Sequence, residues 1–479
     1  MRTNKRNRKS GIEHVVLNRR RFLTRSAAAL ATGGVILNGW KPALAAKKVA
    51  DSAFGKITIT DIEAHPIQLP YLDWIHYELQ HFYGPSKRTI YIVKTNHPGL
   101  VGLGDAHEGG ESDGVIQQYI GTSPFDWIGD ETSLSLGTAM YDLMGKAAGV
   151  PVYKLFGQRF RRFVPCGSWT VSTHPERMAT AVREYAARGY RWLKYHLSPF
   201  ENVIDQMEAM QAVAPKGFRV MHDITSGGSI DHIPELLEKI SRYPIAGAFE
   251  DPGLPRDIEA YIALRKRSRL PIVVHHSPLS FTFDVLQRMG DAYIVGHSRI
   301  GKVIEFAGVF AAANAPFMCQ NVGTNITRAM TTHMQAAFKT ATWHFHSDKE
   351  TWKDDPTNET LEPINGFLRV PEEPGLGVTI NSEALDRLKR LKLPEQERWI
   401  IKTRFDNGTM MYNIADPKRS IFLVRPDTAR LAPMSYDAPV TTEWWDNDGT
   451  PEYKAMFERI EKEKIVILRP GESPAPSGS

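Results

Sequence analysis

The chain has 479 residues, enough for two to three domains, and its 42% hydrophobic and 24% charged residues are typical of a globular protein. Its net charge of +5 is concentrated in the first 25 residues, so no basic face is left to indicate nucleic-acid binding. The two cysteines, Cys166 and Cys319, are far apart, which argues against a disulfide scaffold or a cysteine zinc site and predicts two buried, reduced thiols.

The N-terminal segment has the features of a removable leader. Asn18 to Thr24 resembles the twin-arginine export signal, in which paired arginines precede one variable residue and two apolar ones. The apolar stretch from Ala27 to Leu37 is shorter than the ~20 residues that a membrane span needs, and a small-x-small cleavage site ends at Ala45. We therefore expect residues 1–45 to engage the twin-arginine export machinery, with cleavage near Ala45/Ala46 and a periplasmic mature protein without a membrane span. The alternative is a basic tail before an ordinary helix.

Residues 46–160 have strand patterns first and helix patterns after. Ile57 to Ala64, Arg88 to Thr95 and the stretch beginning at Leu100 are rich in β-branched residues. Leu134 to Ala148 has a helical pattern that ends at Gly149. This order predicts an α+β domain.

From residue 161 to 390, short apolar strands alternate with amphipathic helices about every 25 residues, a spacing typical of βα repeats. Eight strands are the number of a (β/α)8-type barrel in the α/β class. An open doubly wound sheet is the alternative, but no Gly-x-Gly-x-x-Gly motif follows a strand. The predicted strands are Val164–Trp169, Trp192–His196, Phe218–Asp223, Gly247–Glu250, Ile272–His275, Ala292–Gly296, Phe317–Gln320 and Phe367–Val370.

Residues 391–479 form a C-terminal extension. Trp399 to Phe405 and Thr409 to Ile414 flank Asn407-Gly408, which is a hairpin signal. Residues from Gly471 onward are rich in Pro, Ser and Gly and are expected to be disordered.

Polar side chains collect at the C-terminal ends of the predicted strands, where barrels of this kind carry their active sites. Acids on successive strands can hold a hard divalent cation through carboxylate oxygens. Lys194 and His196 lie on either side of Tyr195 and therefore face the same side of their strand, which makes a base plausible there. The strand-end residues are Lys194, His196, Asp223, Glu250, His275, His276, His297 and Gln320.

Two longer motifs flank these strand ends. Tyr141 to Gly157 and Asn365 to Val378 resemble the cap–barrel junction and the last-strand signature of the enolase superfamily, in its mandelate racemase/muconate lactonizing branch. This resemblance implies a barrel with an N-terminal α+β capping domain. It also implies a divalent metal that polarises a substrate carboxylate, and a base that removes the α-proton. Asp223 and Glu250 match two metal ligands, and Lys194 matches the first lysine of a lysine-x-lysine pair.

The sequence departs from that family at several rim positions. His196 occupies the place of the second lysine, so we expect His196 to act as the base together with Lys194. His276 occupies the place of the third, usually acidic, metal ligand. The resemblance implies Mg²⁺, whereas an imidazole ligand also suits Mn²⁺, Fe²⁺ or Zn²⁺. The acid and histidine expected on strands six and seven fall at Gly296 and near Gln320, so the opposite-face dyad is missing.

The remaining expectations concern substrate and partners. Tyr71 and Trp74 lie in the loop that shapes specificity in this family, and we expect them to bind substrate together with His275, His297 and Gln320. The favoured activity is dehydration of a sugar acid. An epimerase, racemase or cycloisomerase of a carboxylate, or an exported binding protein without catalysis, are the alternatives. We expect a homo-oligomer. His344 and His346 are interpreted as structural residues or part of an exposed loop.

Overall fold

The computed structural model describes residues 56–197, 201–224, 233–253, 257–277, 279–415 and 440–472. The predicted export signal and its cleavage site lie outside these residues, as does most of the segment expected to be disordered. Within these ranges, no helix combines the length and the apolar character that crossing a membrane requires.

The first unit of the fold is a three-stranded antiparallel sheet covered by helices. Its longest helix begins after Ser133, whose hydroxyl accepts a hydrogen bond from Leu136 N, and ends at Gly149 in a left-handed conformation. The sequence predicted this helix and its end. The elements are β1 (Ile59–Leu69), α1 (His76–Tyr83), β2 (Ser86–Thr95), β3 (Val101–His107), α2 (Asp113–Tyr119), α3 (Leu134–Ala148) and α4 (Tyr153–Phe156).

A parallel sheet of seven strands follows a short strand, β4 (Phe163–Pro165). Neighbouring strands are consecutive in the chain, which is the order of a βα barrel. The α/β barrel class predicted from the sequence is confirmed. The seven strands are β5 (Ser168–Thr170), β6 (Trp192–His196), β7 (Arg219–Asp223), β8 (Ala246–Glu250), β9 (Ile272–Val274), β10 (Ala292–Gly296) and β11 (Phe317–Gln320).

Helices connect the parallel strands, and most of them bury one apolar face, whereas every residue of the last helix, Asn325–Ala337, is buried. The buried strand residues, such as Leu193, Val220 and Ile294, are fully enclosed and account for the near-continuous apolar strand sequences. The helices are α5 (Pro175–Ala187), α6 (Val203–Val213), α7 (Ile233–Ile240), α8 (Ile258–Arg267), α9 (Phe281–Gln287), α10 (Ile300–Ala313) and α11 (Asn325–Ala337).

The eighth position of the barrel is held by residues 343–345. Trp343 N donates to Phe317 O (3.1 Å) on one side, and Gly167 N donates to Phe345 O (2.7 Å) on the other. Cys166 and Phe345 form a parallel bridge. The prediction of Phe367–Val370 as the eighth strand was wrong, because β12 (Phe367–Arg369) pairs antiparallel with β4 outside the parallel sheet.

The two flanking motifs of the sequence contact each other. Buried Asp142 in the first motif accepts hydrogen bonds from Leu103 N (3.1 Å) and from Leu376 N (2.9 Å) in the second. Gly145 and Gly375 approach so closely that a Cβ at Gly145 would lie 2.8 Å from the Gly375 Cα. Glycine is required there because any side chain would push the two segments apart.

The first unit is also fastened to the barrel mouth. Arg88 Nε donates to Asp105 Oδ1 (2.8 Å), and Asp105 Oδ2 accepts from Thr324 N (2.6 Å) at the start of α11. Arg88 donates a second bond to Val322 O (2.8 Å). This buried network ties β2 and β3 to the loop after β11.

The C-terminal extension begins after α12 (Ser382–Arg390) and folds as an antiparallel sheet with one helix. The hairpin predicted around Asn407-Gly408 is confirmed by the pairing of its two strands. Its apolar cluster is built from residues such as Ile400, Tyr453 and Ile460. The elements are β13 (Trp399–Phe405), β14 (Met410–Ala415), β15 (Val440–Trp445), α13 (Pro451–Glu463) and β16 (Ile465–Leu468).

Candidate active site

Lys194 and His196 project from the same face of β6 into the barrel mouth. Their intervening neighbour, Tyr195, points to the other face, where its hydroxyl donates to Gln206 of α6 (3.1 Å). The Lys194 side chain is only 1% exposed. The alternation of β6 therefore delivers a buried cation and an imidazole to one side, as the sequence predicted.

The Lys194 ammonium lies between two carboxylates at the ends of neighbouring strands. Its Nζ is 2.7 Å from Asp223 Oδ2 and 3.6 Å from Glu250 Oε1. Both acids are fully buried, and Glu250 Oε2 has no hydrogen-bond partner in the described part of the chain. Two carboxylates thus converge on one point at which a positive charge is held.

Burial and pairing set the charge state of this trio. Burial disfavours the Lys194 ammonium, but attraction to Asp223 and Glu250 outweighs it and raises the pKa of Lys194. Burial also opposes ionisation of Asp223, yet His196 and Lys194 hold the pKa of Asp223 well below its ordinary value. Burial, followed by repulsion from Asp223, raises the pKa of Glu250. The two carboxylates therefore favour the ammonium form of Lys194 in this arrangement.

His196 is oriented by the same carboxylate. Its Nδ1 is 2.9 Å from Asp223 Oδ2, and its Nε2 is 3.3 Å from Lys194 Nζ. An Nδ1–H that donates to Asp223 leaves the lone pair on Nε2, which faces the Lys194 ammonium here and becomes open to a substrate proton when Lys194 moves aside. Trp169 of β5 packs edge-on against the imidazole at a ring distance of 6.1 Å. His196 is thus a positioned acceptor at the cavity wall.

The two histidines after β9 take different partners. His275 Nδ1 lies 2.9 Å from Glu250 Oε1, whereas His276 Nδ1 lies 2.6 Å from Asp251 Oδ2. The His276 side chain is 59% exposed. Asp251 also accepts the backbone N–H groups of both histidines, so its oxygens are engaged in the turn. The structure therefore brings His275, and not the predicted ligand His276, to the Asp223–Glu250 pair.

Gly296 makes room for His275. A Cβ at Gly296 would collide with His275 Nε2, so the strand-six position that carries an acid in the resembling family is glycine here. Burial lowers the pKa of His275 to about 4, which keeps its imidazole neutral at physiological pH. A side chain at position 296 and the observed position of the His275 imidazole therefore exclude each other.

A cavity of about 410 Å³ opens from His196 toward the first unit of the fold. Tyr71, His297 and Gln320, all predicted to bind substrate, are among its lining residues. Trp74 instead packs edge-on against Tyr185 of α5, at a ring distance of 5.3 Å, because the turn before α1 directs it toward the outer helix. Additional lining residues include Leu79, Tyr83, Lys87, Arg88, His107, Trp169, Asp348 and Trp352.

Asp348 is a cavity residue that sequence reasoning missed. It follows the segment that closes the barrel and adopts a left-handed conformation (φ 61°), which is strained for a residue with a side chain. Burial, with a smaller contribution from Glu350, raises the pKa of Asp348 to about 7. The period-2 pattern of His344 and His346 was the available signal. Both side chains are buried, which supports their interpretation as structural residues and excludes the alternative of an exposed loop.

His346, Asp348 and Glu350 also place their ligand-type atoms within 4.8 Å of one another. The second such group in the described residues consists of Asp251, His275 and His276. Neither group includes Asp223 or Glu250.

One protein-family model matches the sequence of the barrel. The family model described as "Enolase C-terminal domain-like" matches residues 177–384, which contain the converging side chains of β6 to β9. The barrel is therefore similar to the C-terminal domain of enolase-like proteins.

Relatives and solved structures agree with that assignment. Arabinonate dehydratase from Saccharolobus solfataricus is 22% identical over 263 residues, covering 53% of this chain and 70% of the relative. D-galactonate dehydratase from Xanthomonas campestris pv. campestris is 24% identical over 293 residues, covering 52% and 71%. The structure of N-succinyl Arg/Lys racemase from Bacillus cereus superposes with a TM-score of 0.58 at 21% identity, covering 70% of this chain and 98% of the other. At this identity the superposition establishes the fold.

Members of the enolase superfamily bind a divalent metal, and the residues present fit one. Asp223 and Glu250 supply oxygen ligands, and neutral His275 beside them supplies a nitrogen donor. The ammonium of Lys194 occupies the point of convergence as a stand-in cation, and Glu250 Oε2 is left without a partner. Binding a metal there requires the Lys194 side chain to move aside.

Proposed function

We propose that this protein is a divalent-metal-dependent lyase that dehydrates a sugar acid, beginning with removal of the proton next to the carboxylate. The observation that carries the proposal is the convergence of Lys194, Asp223 and Glu250 on His196, which lines the cavity. Relatives named arabinonate, D-galactonate and L-rhamnonate dehydratase support the substrate class.

Asp223, Glu250 and one histidine after β9 would hold the metal. When bound, it would supply positive charge that stabilises the substrate carboxylate as the α-carbon loses its proton. Mg²⁺ is the first candidate because two carboxylates are its preferred ligands. Mn²⁺, Fe²⁺ or Zn²⁺ are the candidates if an imidazole completes the set.

His196 is the proposed base. The α C–H bond breaks, its proton passes to His196 Nε2, and the electron pair remains on the substrate as an enediolate. Asp223 holds the imidazole from Nδ1 and stabilises the cation that forms. Lys194, which remains charged, steadies the negative charge on the substrate carboxylate.

Asp348 is the proposed acid for the second half of the reaction. The enediolate electron pair forms the new C=C bond, the β C–O bond breaks, and the hydroxyl leaves as water after accepting the Asp348 proton. A carboxyl with a pKa of about 7 is half protonated near neutral pH, which suits this task. Asp348 lines the same cavity as His196.

The proposal is tested by screening sugar acids with the metal-loaded protein, following both dehydration and exchange of the α-proton in D₂O. We expect His196→Asn to abolish exchange while metal and substrate still bind. Lys194→Met should mainly weaken substrate binding and slow exchange. Near-normal turnover of His196→Asn would remove His196 as the base. Absence of exchange with every acid tested would favour an exported binding protein without catalysis.

Epimerisation is the second candidate, and His297 is the observation that favours it. His297 follows β10, lines the cavity, and is kept neutral because burial lowers its pKa to about 3. The histidine–acid pair that provides a second base in the resembling family is missing from this sequence. A neutral imidazole at the position of His297 would take its place. Recovery of an inverted α-carbon without loss of water would identify this activity, and His297→Asn should then abolish it.

The paired arginines before a weak apolar stretch and Ala43-Leu44-Ala45 support export by the twin-arginine route. We place the working protein in the periplasm, folded before transport.

A further inference from the structure

The short helix α1 has one face in the candidate active site. Leu79 and Tyr83 line the cavity, and the Tyr83 ring lies 5.8 Å from the ring of Trp169, which itself packs against His196. Movement of α1 would therefore change the shape of the cavity close to the proposed base.

Helix α1 has little stability of its own. It spans eight residues, and the residue at its N-cap, Ile75, offers no side chain to accept a hydrogen bond from the first turn. Helices of this length are marginal in water unless tertiary contacts hold them. Its position must therefore be set by the surfaces that it contacts.

The C-terminal extension, residues 391–472, supplies the contacts on the side of α1 away from the cavity. Asp446 Oδ1 lies 2.6 Å from His81 Nε2, and Asp446 Oδ2 accepts a hydrogen bond from the Tyr77 hydroxyl (2.9 Å). One carboxylate of the extension thus binds two residues one helical turn apart. The His81 side chain is only 4% exposed, whereas the Asp446 side chain is 45% exposed, so the contact joins a buried imidazole to a carboxylate at the surface.

Aromatic and backbone contacts reinforce the same docking. Trp444 lies 5.7 Å from the Tyr77 ring in a stacked arrangement and 5.0 Å from the His81 ring. Gln80 Nε2 donates to Pro394 O (2.8 Å) at the beginning of the extension. The segment that matches the enolase family model ends at residue 384, so these contacts come from a part of the chain outside that match.

We propose that the C-terminal extension is a structural part of the substrate site: it holds α1 against the cavity, and Asp446 is a positioning residue that sets substrate affinity through α1. The proposal rests on the proposed function for the class of substrate. The position of α1 itself can be measured without turnover.

The first test is amide hydrogen exchange of residues 76–83 in the full chain. Asp446→Ala removes both contacts to α1, and we expect exchange in that segment to accelerate about tenfold or more. Asp448→Asn is the matched control, because Asp448 lies in the same loop but bonds to Trp445 Nε1 (2.8 Å) and Thr450 (2.6 Å) of the extension itself. The control should leave residues 76–83 unchanged.

The second test separates KM from kcat for whichever sugar acid is turned over. Asp446→Ala should raise KM about tenfold with kcat within about twofold, since the reacting groups on β6 to β8 are not altered. Asp446→Glu, which keeps the carboxylate, should recover part of the loss. Asp448→Asn should resemble the unmodified enzyme.

Unchanged exchange in Asp446→Ala would overturn the positioning role. Faster exchange with an unchanged KM would overturn its link to substrate affinity. If no acid is turned over by the unmodified protein, the proposed function fails, and the exchange result still decides whether the extension holds α1.

Discussion

The Lys194 ammonium contacts both proposed metal ligands, Asp223 and Glu250. The roles proposed for the other residues at the barrel mouth depend on this contact. Lys194 lies between Asp223 and Glu250 with His196 beside it, which supports the proposal that His196 is the base. His275 occupies the space over Gly296 and adds a neutral imidazole to Glu250. The rim therefore combines two buried acids with a lysine and two imidazoles.

Asp223→Asn should remove most of the bound divalent ion while the fold remains, because a charged oxygen ligand becomes a neutral amide. We expect at least about tenfold weaker binding, measured by calorimetric titration of metal into the metal-free protein. Metal binding of ordinary strength in this variant would disprove the site.

His275 and His276 are adjacent in sequence but contact different acids, so their contributions to metal binding can be compared. His275→Ala should weaken metal binding or change which metal is preferred, since His275 lies at Glu250. His276→Ala should have a smaller effect, because its half-exposed imidazole contacts Asp251 instead. The reverse ranking would restore His276, the ligand predicted from the sequence.

Asp348 predicts a pH dependence with a definite sign. Its raised pKa of about 7 means that the proton it donates is present below that pH and lost above it. Dehydration should therefore slow as pH rises through about 7, whereas α-proton exchange should not follow this limb. Asp348→Asn should lower the dehydration rate by about 10²-fold and remove the limb. An unchanged profile in Asp348→Asn would assign the acid to another residue.

Among the secondary-structure elements, strands with a clear local sequence pattern were predicted correctly. The strand that closes the barrel was not, because its identity depends on pairing between distant segments. The bounds of β6 and β10 are as predicted: β10 is an apolar run that ends at a glycine, and β6 alternates apolar and polar residues from Leu193 to His196. Residues 343–345 could not be recognised as the closing strand because His344 interrupts their apolar pattern. Phe367–Val370 has a strand pattern that pairs in the other direction.

Within the candidate active site, too, local sequence pattern predicts only part of the arrangement. Lys194 and His196 follow strand alternation, so their common direction was predictable. β9 ends at Val274, and the turn after it is shaped by Asp251, so alternation cannot decide between His275 and His276.

Asp142 is expected to contribute to stability, because it accepts hydrogen bonds from two segments distant in sequence. Asp142→Ala would leave Leu103 N and Leu376 N, both buried, without their acceptor and should reduce the free energy of unfolding by about 3 kcal/mol. Lys154→Met is the control, because Lys154 lies in the same motif with an exposed side chain, and its loss leaves Asp142 and both backbone bonds intact. Urea denaturation compares the two. An effect of Asp142→Ala no larger than that of the control would contradict this role.

At the scale of the whole molecule, residues 56–472 form one compact unit in which the cap, barrel and extension share contacts around the cavity. A site assembled from segments so distant in sequence is complete only after the entire chain has folded. Folding before transport is also what the twin-arginine route requires, so the proposed location and the architecture support each other.

Changing Arg19 and Arg20 to Lys tests the export route directly. The substitution keeps both positive charges but removes the guanidinium pair of the signal, so we expect the protein to accumulate in the cytoplasm with residues 1–45 still attached. Cell fractionation and N-terminal sequencing distinguish this form from a periplasmic one that begins near Ala46. The same fractions can be assayed for bound metal and α-proton exchange, because a protein that folds before transport should be active in either compartment. Periplasmic protein with a processed N-terminus in the doubly substituted strain would exclude the twin-arginine route without affecting the assignment of the barrel or its site.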